Sequence, residues 1–370
     1  MTAAVTLAER GGVVTLYEPG GRVGAGASWM AGGMLAPWCE AESAPPEVTA
    51  QSVDSVDWWE AHVPNVVRAG SLVLAPPRDS GEIARFGRRT THFETVDSAE
   101  IARLEPDLAG RFHKGLFFAD EGHVDPRKAL VALLARLESL GGKAVFSAAD
   151  VPDDAAFDWI VDCTGLNVRQ ELPTLRGVRG EMLLLRCPDV VLHRPVRMLH
   201  PRIPIYIVPR ADHVFMVGAT MIESENAGGM TVRSMTELLN AAWVLHPGFA
   251  EAEILEMGTG LRPSYPDNMP RVVREGNHVF VNALKRLRDR DAVLTCRRET
   301  RENARMKIVV NDEVHEVSAT TLAALIDELG YGGARIATAM NGSFVPVPLR
   351  DKTALNDGAQ VEIVAPMQGG

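Results

Sequence analysis

Gly11-Gly-Val-Val-Thr-Leu-Tyr-Glu18 opens on two glycines, runs through an apolar stretch and closes on a carboxylate. Ala3 to Arg10, just before it, reads as the end of a helix that the glycines stop, and Val13 to Glu18 as a strand. A helix, a tight turn and an apolar strand ending in an acid make the second half of a dinucleotide-binding unit. There the acid accepts hydrogen bonds from an adenosine ribose, and Glu18 is the candidate. Taken alone, the stretch favours a plain surface glutamate at a strand end. Three downstream segments shift the balance. Ala27-Ser-Trp-Met-Ala-Gly-Gly-Met-Leu-Ala-Pro37 is small, glycine-rich and uncharged, as backbone lying against a flat cofactor must be. Asp158-Trp-Ile-Val-Asp-Cys-Thr-Gly165 reads as a buried strand turning at a small residue, a second place of close approach. Gly258-Thr-Gly-Leu-Arg-Pro-Ser-Tyr-Pro-Asp-Asn-Met-Pro270 sets Arg262 between glycines and prolines, which predicts a rigid loop.

Between these segments the chain alternates strands and helices. Pro126 to Leu140, stopped by Gly141-Gly142, and Glu237 to Leu245 read as helices. Lys143 to Ser147 and Trp159 to Cys163 read as short buried strands, and His278 to Val281 as another. Gly180 to Arg186, Pro204 to Val208 and Val214 to Val217 read as an antiparallel sheet. The rhythm predicts an α/β nucleotide domain with a second, antiparallel substrate domain folded in. At 370 residues, two to three units are expected. A net charge of −10 argues against a nucleic-acid binder, which needs a basic face. No run approaches the roughly 18 apolar residues of a membrane span, and no export signal precedes the first helix. Cys39, Cys163, Cys187 and Cys296 fall in no metal-binding or C-x-x-C spacing. A reduced, cytoplasmic protein is the expectation, without metal, membrane or nucleic-acid partner.

Residues 285–305 hold eight basic and four acidic side chains, with few apolar residues at helical spacing. They read as a basic linker between two units, 1–284 and 306–370. In the second unit, Lys307-Ile-Val-Val310 and Glu313-Val-His-Glu-Val317 flank a turn at Asn311-Asp312. Leu322, Leu325, Ile326 and Leu329, following Thr320, have the spacing of one buried helix face, and Gly330 ends it. Ile336 to Met340 and Gln360 to Val364 supply two more strands, which completes an α+β, ubiquitin-like β-grasp. The chain closes on Gly369-Gly370. Two residues without side chains can thread a narrow enzyme channel and present a terminal carboxylate to ATP.

The four N-terminal segments, in this order and spacing, resemble the glycine oxidase branch of the D-amino-acid oxidase family of FAD enzymes. The resemblance covers roughly residues 1–284. It implies that Glu18 binds the ribose, that Ser28 and Ala31, Gly32, Gly33 and Met34 line the flavin, and that Gly165 approaches it. Val151, after the Lys143–Ser147 strand, is a further candidate for the adenine contact. Arg262 would grip the substrate carboxylate as a fork-shaped donor pair, with a structural salt bridge as its alternative. Tyr206 would stand over the substrate and orient it, a packed strand tyrosine being the alternative. No protein acid or base is essential in this family: the neutral amine loses hydride from its α-carbon, and the protein supplies position and electrostatics.

Two departures from the family pattern carry an expectation of their own. The family's opening strand and G-x-G-x-x-G are not found before the first helix, and Gly24-Ala-Gly26 follows the acidic strand instead of opening a helix. After Asn282, Lys285-Arg-Leu-Arg-Asp-Arg-Asp291 stands where the family has a turn into a helix that faces the flavin. The Rossmann-like part is therefore expected to be incomplete and to hold little FAD. Residues 306–370 resemble the sulfur carrier of thiamine biosynthesis. That resemblance implies adenylation of Gly370 and its conversion to a thiocarboxylate, with Gly369 in the channel, and it implies an adenylating or sulfur-transfer enzyme and a thiazole synthase as partners. The joint expectation is a glycine oxidase–sulfur carrier fusion that consumes glycine and oxygen, from a family whose members are often homo-oligomers. A catalytically dead scaffold bearing a working carrier, and an oxidase of sarcosine or proline, are the alternatives.

Overall fold

Alternation along three neighbouring strands organises the first part of the molecule. In the computed structural model, which describes residues 1–146, 157–200, 204–282, 299–300, 306–311, 313–317, 319–329, 331, 336–356 and 358–364, the strands are Arg176–Arg186, Ile205–Pro209 and Val214–Gly218. Successive side chains of a strand point to opposite faces. Leu183, Leu185, Ile205, Ile207, Phe215 and Val217 therefore share one face, where Leu238, Ala242 and Leu245 of the helix Val232–Leu245 cover them. Met182, Val208 and Met216 share the other, against Met34, Ala36 and Cys39. Both faces are apolar because both are covered.

The full sheet has eight strands in the order Glu253–Ser264, Arg176–Arg186, Val214–Gly218, Ile205–Pro209, Val196–Met198, Ser71–Leu74, Lys114–Phe118 and Glu94–Asp97. Its pairs are antiparallel except that between Val196–Met198 and Ser71–Leu74. Glu253–Ser264 corrects the reading of Gly258–Pro270 as a rigid loop. It pairs with Arg176–Arg186 from end to end, with one irregularity between Ile254 and Glu256. The strand lies at the sheet edge, where a proline without an N–H is tolerated, so Pro263 does not break it.

Short parallel pairs recur outside the large sheet, and two of them involve the expected strands. Thr15–Tyr17 runs beside Lys143–Val145, and His278–Asn282 beside Ile160–Asp162. The expected strands are present but not buried: Thr15–Tyr17, Ile160–Asp162 and Ala144–Val145 are half-buried, and Trp159 is 50% exposed. A parallel sheet is buried when helices cover both faces; here one helical layer is evident. It comprises Thr2–Glu9 and Pro126–Ser139, which bury Ala4, Val5 and Ala8 against Ala129, Leu133 and Leu137. Asp125 caps Pro126–Ser139 by accepting the Arg127 amide, and Gly141, at φ +84°, ends it as expected. The helix expected from Glu237 begins earlier, at Val232, because Thr231 accepts the Ser234 amide and caps a polar first turn.

The chain divides into two compact units, Met1–Val272 with His278–Arg297 and Val273–Asn277 with Arg298–Gly370. The second contains a five-stranded sheet in the order Glu313–Val317, Met306–Val310, Gln360–Val364, Ala337–Met340 and Ser343–Phe344. Met306–Val310 and Gln360–Val364 are parallel, and the other pairs antiparallel. Leu322, Leu325 and Ile326 of the helix Leu322–Glu328 pack on Ile308, Val310, Val361 and Ile363. This is the β-grasp arrangement. Thr321 caps the helix by accepting the Ala324 amide. Asn311 adopts φ +49° in the hairpin turn and brackets Ile363, donating to its carbonyl at 3.0 Å and accepting its amide at 2.8 Å. Val151, the stretch 285–298 and the tail Gly369-Gly370 lie outside the described residues.

Candidate functional site

Register across the large sheet brings the candidate residues to one face. Arg197, Tyr206, Gly218, Met182 and Gly258 stand opposite one another on successive strands, so their Cα–Cβ directions share that face. Two residues along, Gly180 pairs with Gly260, and two further, Val178 pairs with Arg262. Four glycines thus form a floor between Tyr206 and Arg262. The turn Ala27–Met30 lies over part of it: a methyl on Gly258 would come within 3.2 Å of Met30 Sδ, and one on Gly260 within 3.7 Å of Ala27 Cβ.

Arg262 is half-buried and extends across Gly180, where a Cβ would stand 2.6 Å from its Cζ. Its Nη1 donates to the Thr220 carbonyl at 3.1 Å, and among the described residues it forms no ion pair. Among the described residues the salt-bridge alternative is therefore not realised, and none of them accepts from the rest of the fork. Behind Thr220, on the opposite face of Arg176–Arg186, lies a fully buried ion pair. Arg179 donates to Glu181 Oε1 at 2.7 Å and to the carbonyls of Gly228 and Gly229 at 2.8 and 2.6 Å. Glu181 also accepts the Thr231 amide at 3.0 Å, and its own amide donates to Thr220 Oγ1 at 2.9 Å. The pair ties down the loop that carries the Thr220 carbonyl.

Tyr206 packs on Gly32, whose Cβ would stand 2.5 Å from the ring. Gly33, at φ +72°, sits against Pro126, with its carbonyl accepting the Val124 amide at 2.8 Å. Neither position admits a side chain. Both residues are buried, and neither of their backbone amides has an acceptor among the described residues. Ser28 is exposed in the turn, and its carbonyl accepts the Ala31 amide at 3.3 Å. Met34 is buried and stands opposite His123. Gly165, at φ +72°, packs on Pro263, next to Arg262. Glu18 ends Thr15–Tyr17, and its Oε1 accepts the Gly20 amide at 3.0 Å. The fold thus assembles Tyr206 with Gly32, Ala27–Met30 with the glycine floor and Gly165 with the Arg262 strand, while Glu18 stands at a separate turn.

Sequence reading missed three charged or titratable groups around this face. Arg210 is held by carbonyls alone; burial pulls its pKa down to about 10, with Asp125 opposing and Arg127 reinforcing the shift. His123 is buried, and burial, with help from Arg210, lowers its pKa to about 4, so its imidazole is neutral at pH 7. Arg197 lies beside the Phe86 ring and pairs with Glu40 at 3.3 Å and Glu42 at 3.5 Å. The one available sign of Arg210 was its place at the end of an apolar strand.

Comparison with known proteins agrees with this division. Residues 1–286 match the family model for FAD dependent oxidoreductases, and residues 300–370 that of the ThiS family. The "Putative thiamine biosynthesis oxidoreductase ThiO" of Rhizobium etli is 54% identical over 287 residues, covering 77% of this chain and 88% of that protein. A thiazole synthase of Paramagnetospirillum magneticum is 41% identical over 66 residues, 18% of this chain and 20% of that one. Among solved structures, the glycine oxidase of Geobacillus kaustophilus shares the fold with a TM-score of 0.64 at 19% identity, over 79% of this chain and 87% of its own.

Proposed function

The chain belongs to the FAD-dependent oxidoreductase family through residues 1–286 and carries a ThiS-family segment over residues 300–370, and from this we infer that it serves the thiazole branch of thiamine biosynthesis with both parts. The oxidase region, 1–284, oxidises glycine to dehydroglycine with formation of peroxide. A basic linker, 285–305, leads to the carrier, 306–370, whose Gly370 thiocarboxylate donates sulfur. The observation that carries the oxidase reading is Arg262 itself: a half-buried guanidinium with no acid partner among the described residues, over a floor of glycines and on the same face as Tyr206.

The residues present fit a flat ring. Gly32 and Gly33 are buried and closely packed, and their amides have no acceptor among the described residues. In this reading Ser28, Ala31, Gly32, Gly33 and Met34 line the flavin, Gly165 approaches it, Glu18 takes the ribose and Val151 the adenine. FAD, when bound, supplies a two-electron acceptor that passes its electrons to dioxygen. The protein's own part is placement. Arg262 clamps the carboxylate, so that the α-carbon is held in one orientation, and Tyr206 closes the other side and excludes water. No general base is assigned, since the amine reacts in its neutral form. Gly369 keeps the carrier tail narrow enough for an adenylating enzyme, and thiazole synthase receives the sulfur. A cytoplasmic location and a homo-oligomer complete the proposal.

A second reading, a scaffold bearing a working carrier, draws on the half-buried Thr15–Tyr17 and Lys143–Val145, which form a two-stranded sheet separate from that of His278–Asn282. One experiment separates the two: flavin-to-protein ratio and peroxide release from glycine, measured on the purified chain with added FAD. Flavin uptake with glycine-dependent peroxide supports the oxidase; neither, with a thiocarboxylated Gly370 in the mass spectrum, supports the scaffold.

A further inference from the structure

Buried backbone amides without an acceptor are rare in folded proteins, and Gly32 and Gly33 are successive buried residues whose amides find no acceptor among the described residues. The other side of the same peptides shows how they are held. Arg210 Nη2 donates to the Gly32 carbonyl at 2.8 Å and to the Ala31 carbonyl at 3.4 Å, and Nη1 donates to the Val124 carbonyl at 2.7 Å. A trans peptide keeps its C=O and N–H on opposite sides. A guanidinium that gathers the Ala31 and Gly32 carbonyls therefore turns the Gly32 and Gly33 amides away from itself. Among the described residues Arg210 has no carboxylate partner, so its charge is spent on peptide dipoles. A cation on the carbonyl end of a peptide strengthens the N–H at the other end as a donor.

We propose that Arg210 is a positioning residue, whose guanidinium pins the Ala31 and Gly32 carbonyls so that the Gly32 and Gly33 amides form a paired, polarised donor site for an electron-rich edge of the flavin. The inference rests on the reading of Ala31–Met34 as flavin-lining and adds to it a direction of effect. Strengthened donors stabilise the reduced cofactor, which carries more negative charge, over the oxidised one. Arginine suits the task because its planar fork reaches three carbonyls at once. Lysine has the charge but not the span.

The test is a titration of the full chain with FAD, followed by flavin fluorescence, for wild type, Arg210→Lys and Arg210→Met. Circular dichroism checks folding, and the midpoint potential of the bound flavin is measured. Arg210→Met is expected to bind oxidised FAD at least tenfold more weakly. It should lose a further tenfold for the reduced form, which moves the potential about 30 mV more negative for a two-electron couple. Arg210→Lys should recover part of both. A folded Arg210→Met with wild-type affinity and potential would overturn the role of Arg210 while leaving the flavin-lining reading intact. Weaker binding at an unchanged potential would reduce Arg210 to a structural clamp and overturn the polarised donor site. If wild type took up no FAD, the flavin-lining reading would fail and the inference with it. Should Arg210→Met not fold, Arg210→Lys decides by the same two measurements, and a lysine variant equal to wild type in both would overturn the proposal.

Discussion

Gly180→Ala is the most informative single change in the oxidase region, because it moves Arg262 without touching it. The new methyl would stand 2.6 Å from Arg262 Cζ and 3.0 Å from its Nη1. Carbon atoms in contact rest about 3.5 to 4.0 Å apart, so the guanidinium must retreat by roughly 1 Å. It is the far end of a flexible side chain, so it swings instead of straining the sheet, and its bond to the Thr220 carbonyl is lost. Fold stability should change little. A retreat of that size also takes one donor of the fork out of reach of the substrate carboxylate; a hydrogen bond to a charged group is worth about 1.5–3 kcal/mol, so the grip should weaken roughly 10- to 150-fold. A clamp that holds ground and transition states alike raises KM and leaves kcat nearly unchanged. Peroxide release from glycine at saturating FAD gives both constants. In an Arg262→Ala background the same methyl should have no further effect, since the two changes act through one contact. An unchanged KM for Gly180→Ala, or equal costs in the two backgrounds, would show that Arg262 does not hold the substrate carboxylate through this geometry.

Other outcomes follow from groups further from the face. Glu181→Gln leaves the Arg179 charge buried and unpaired, so chemical denaturation should show a loss of about 3–5 kcal/mol. His123, at about 4 in the folded chain against an ordinary 6.5, refuses a proton that the unfolded chain accepts. Stability should therefore fall by roughly 3 kcal/mol as pH drops from about 6.5 to about 4, then level off with respect to this group. Urea midpoints across that window should show a shallower pH dependence for His123→Leu, and parallel slopes would exclude the imidazole. Any extension beyond Gly370 should abolish thiocarboxylation by a thiamine-pathway activating enzyme, read by mass spectrometry, while the β-grasp melts at its usual temperature.

What was legible in the sequence followed from regular patterns. Periodicity located the helices Pro126–Ser139 and Leu322–Glu328, and alternation located Ile205–Pro209 and Val214–Gly218. Glycine and proline misled at Glu253–Ser264, because a residue that breaks an inner strand is accepted at an edge. Ser71–Leu74, Lys114–Phe118 and Val196–Met198 passed unremarked, and their pairing across the sheet is what makes them strands. Arg262 and Tyr206 were singled out through the family resemblance, and that they share a face is a matter of register between segments more than fifty residues apart. Arg210 was missed for a related reason: its partners are carbonyls, which every residue has, so nothing in the side chains of Ala31, Gly32 or Val124 announces them.

The position of Pro263 has a further consequence. The strand carrying Arg262 is the outermost of its sheet, and an open edge is a template on which foreign strands can grow. A row of outward N–H groups is what such a visitor reads. Pro263 leaves a missing rung in that row, immediately beside the arginine. The same residue that looked like the mark of a loop thus guards the sheet against uninvited extension at the point where an added strand would crowd Arg262.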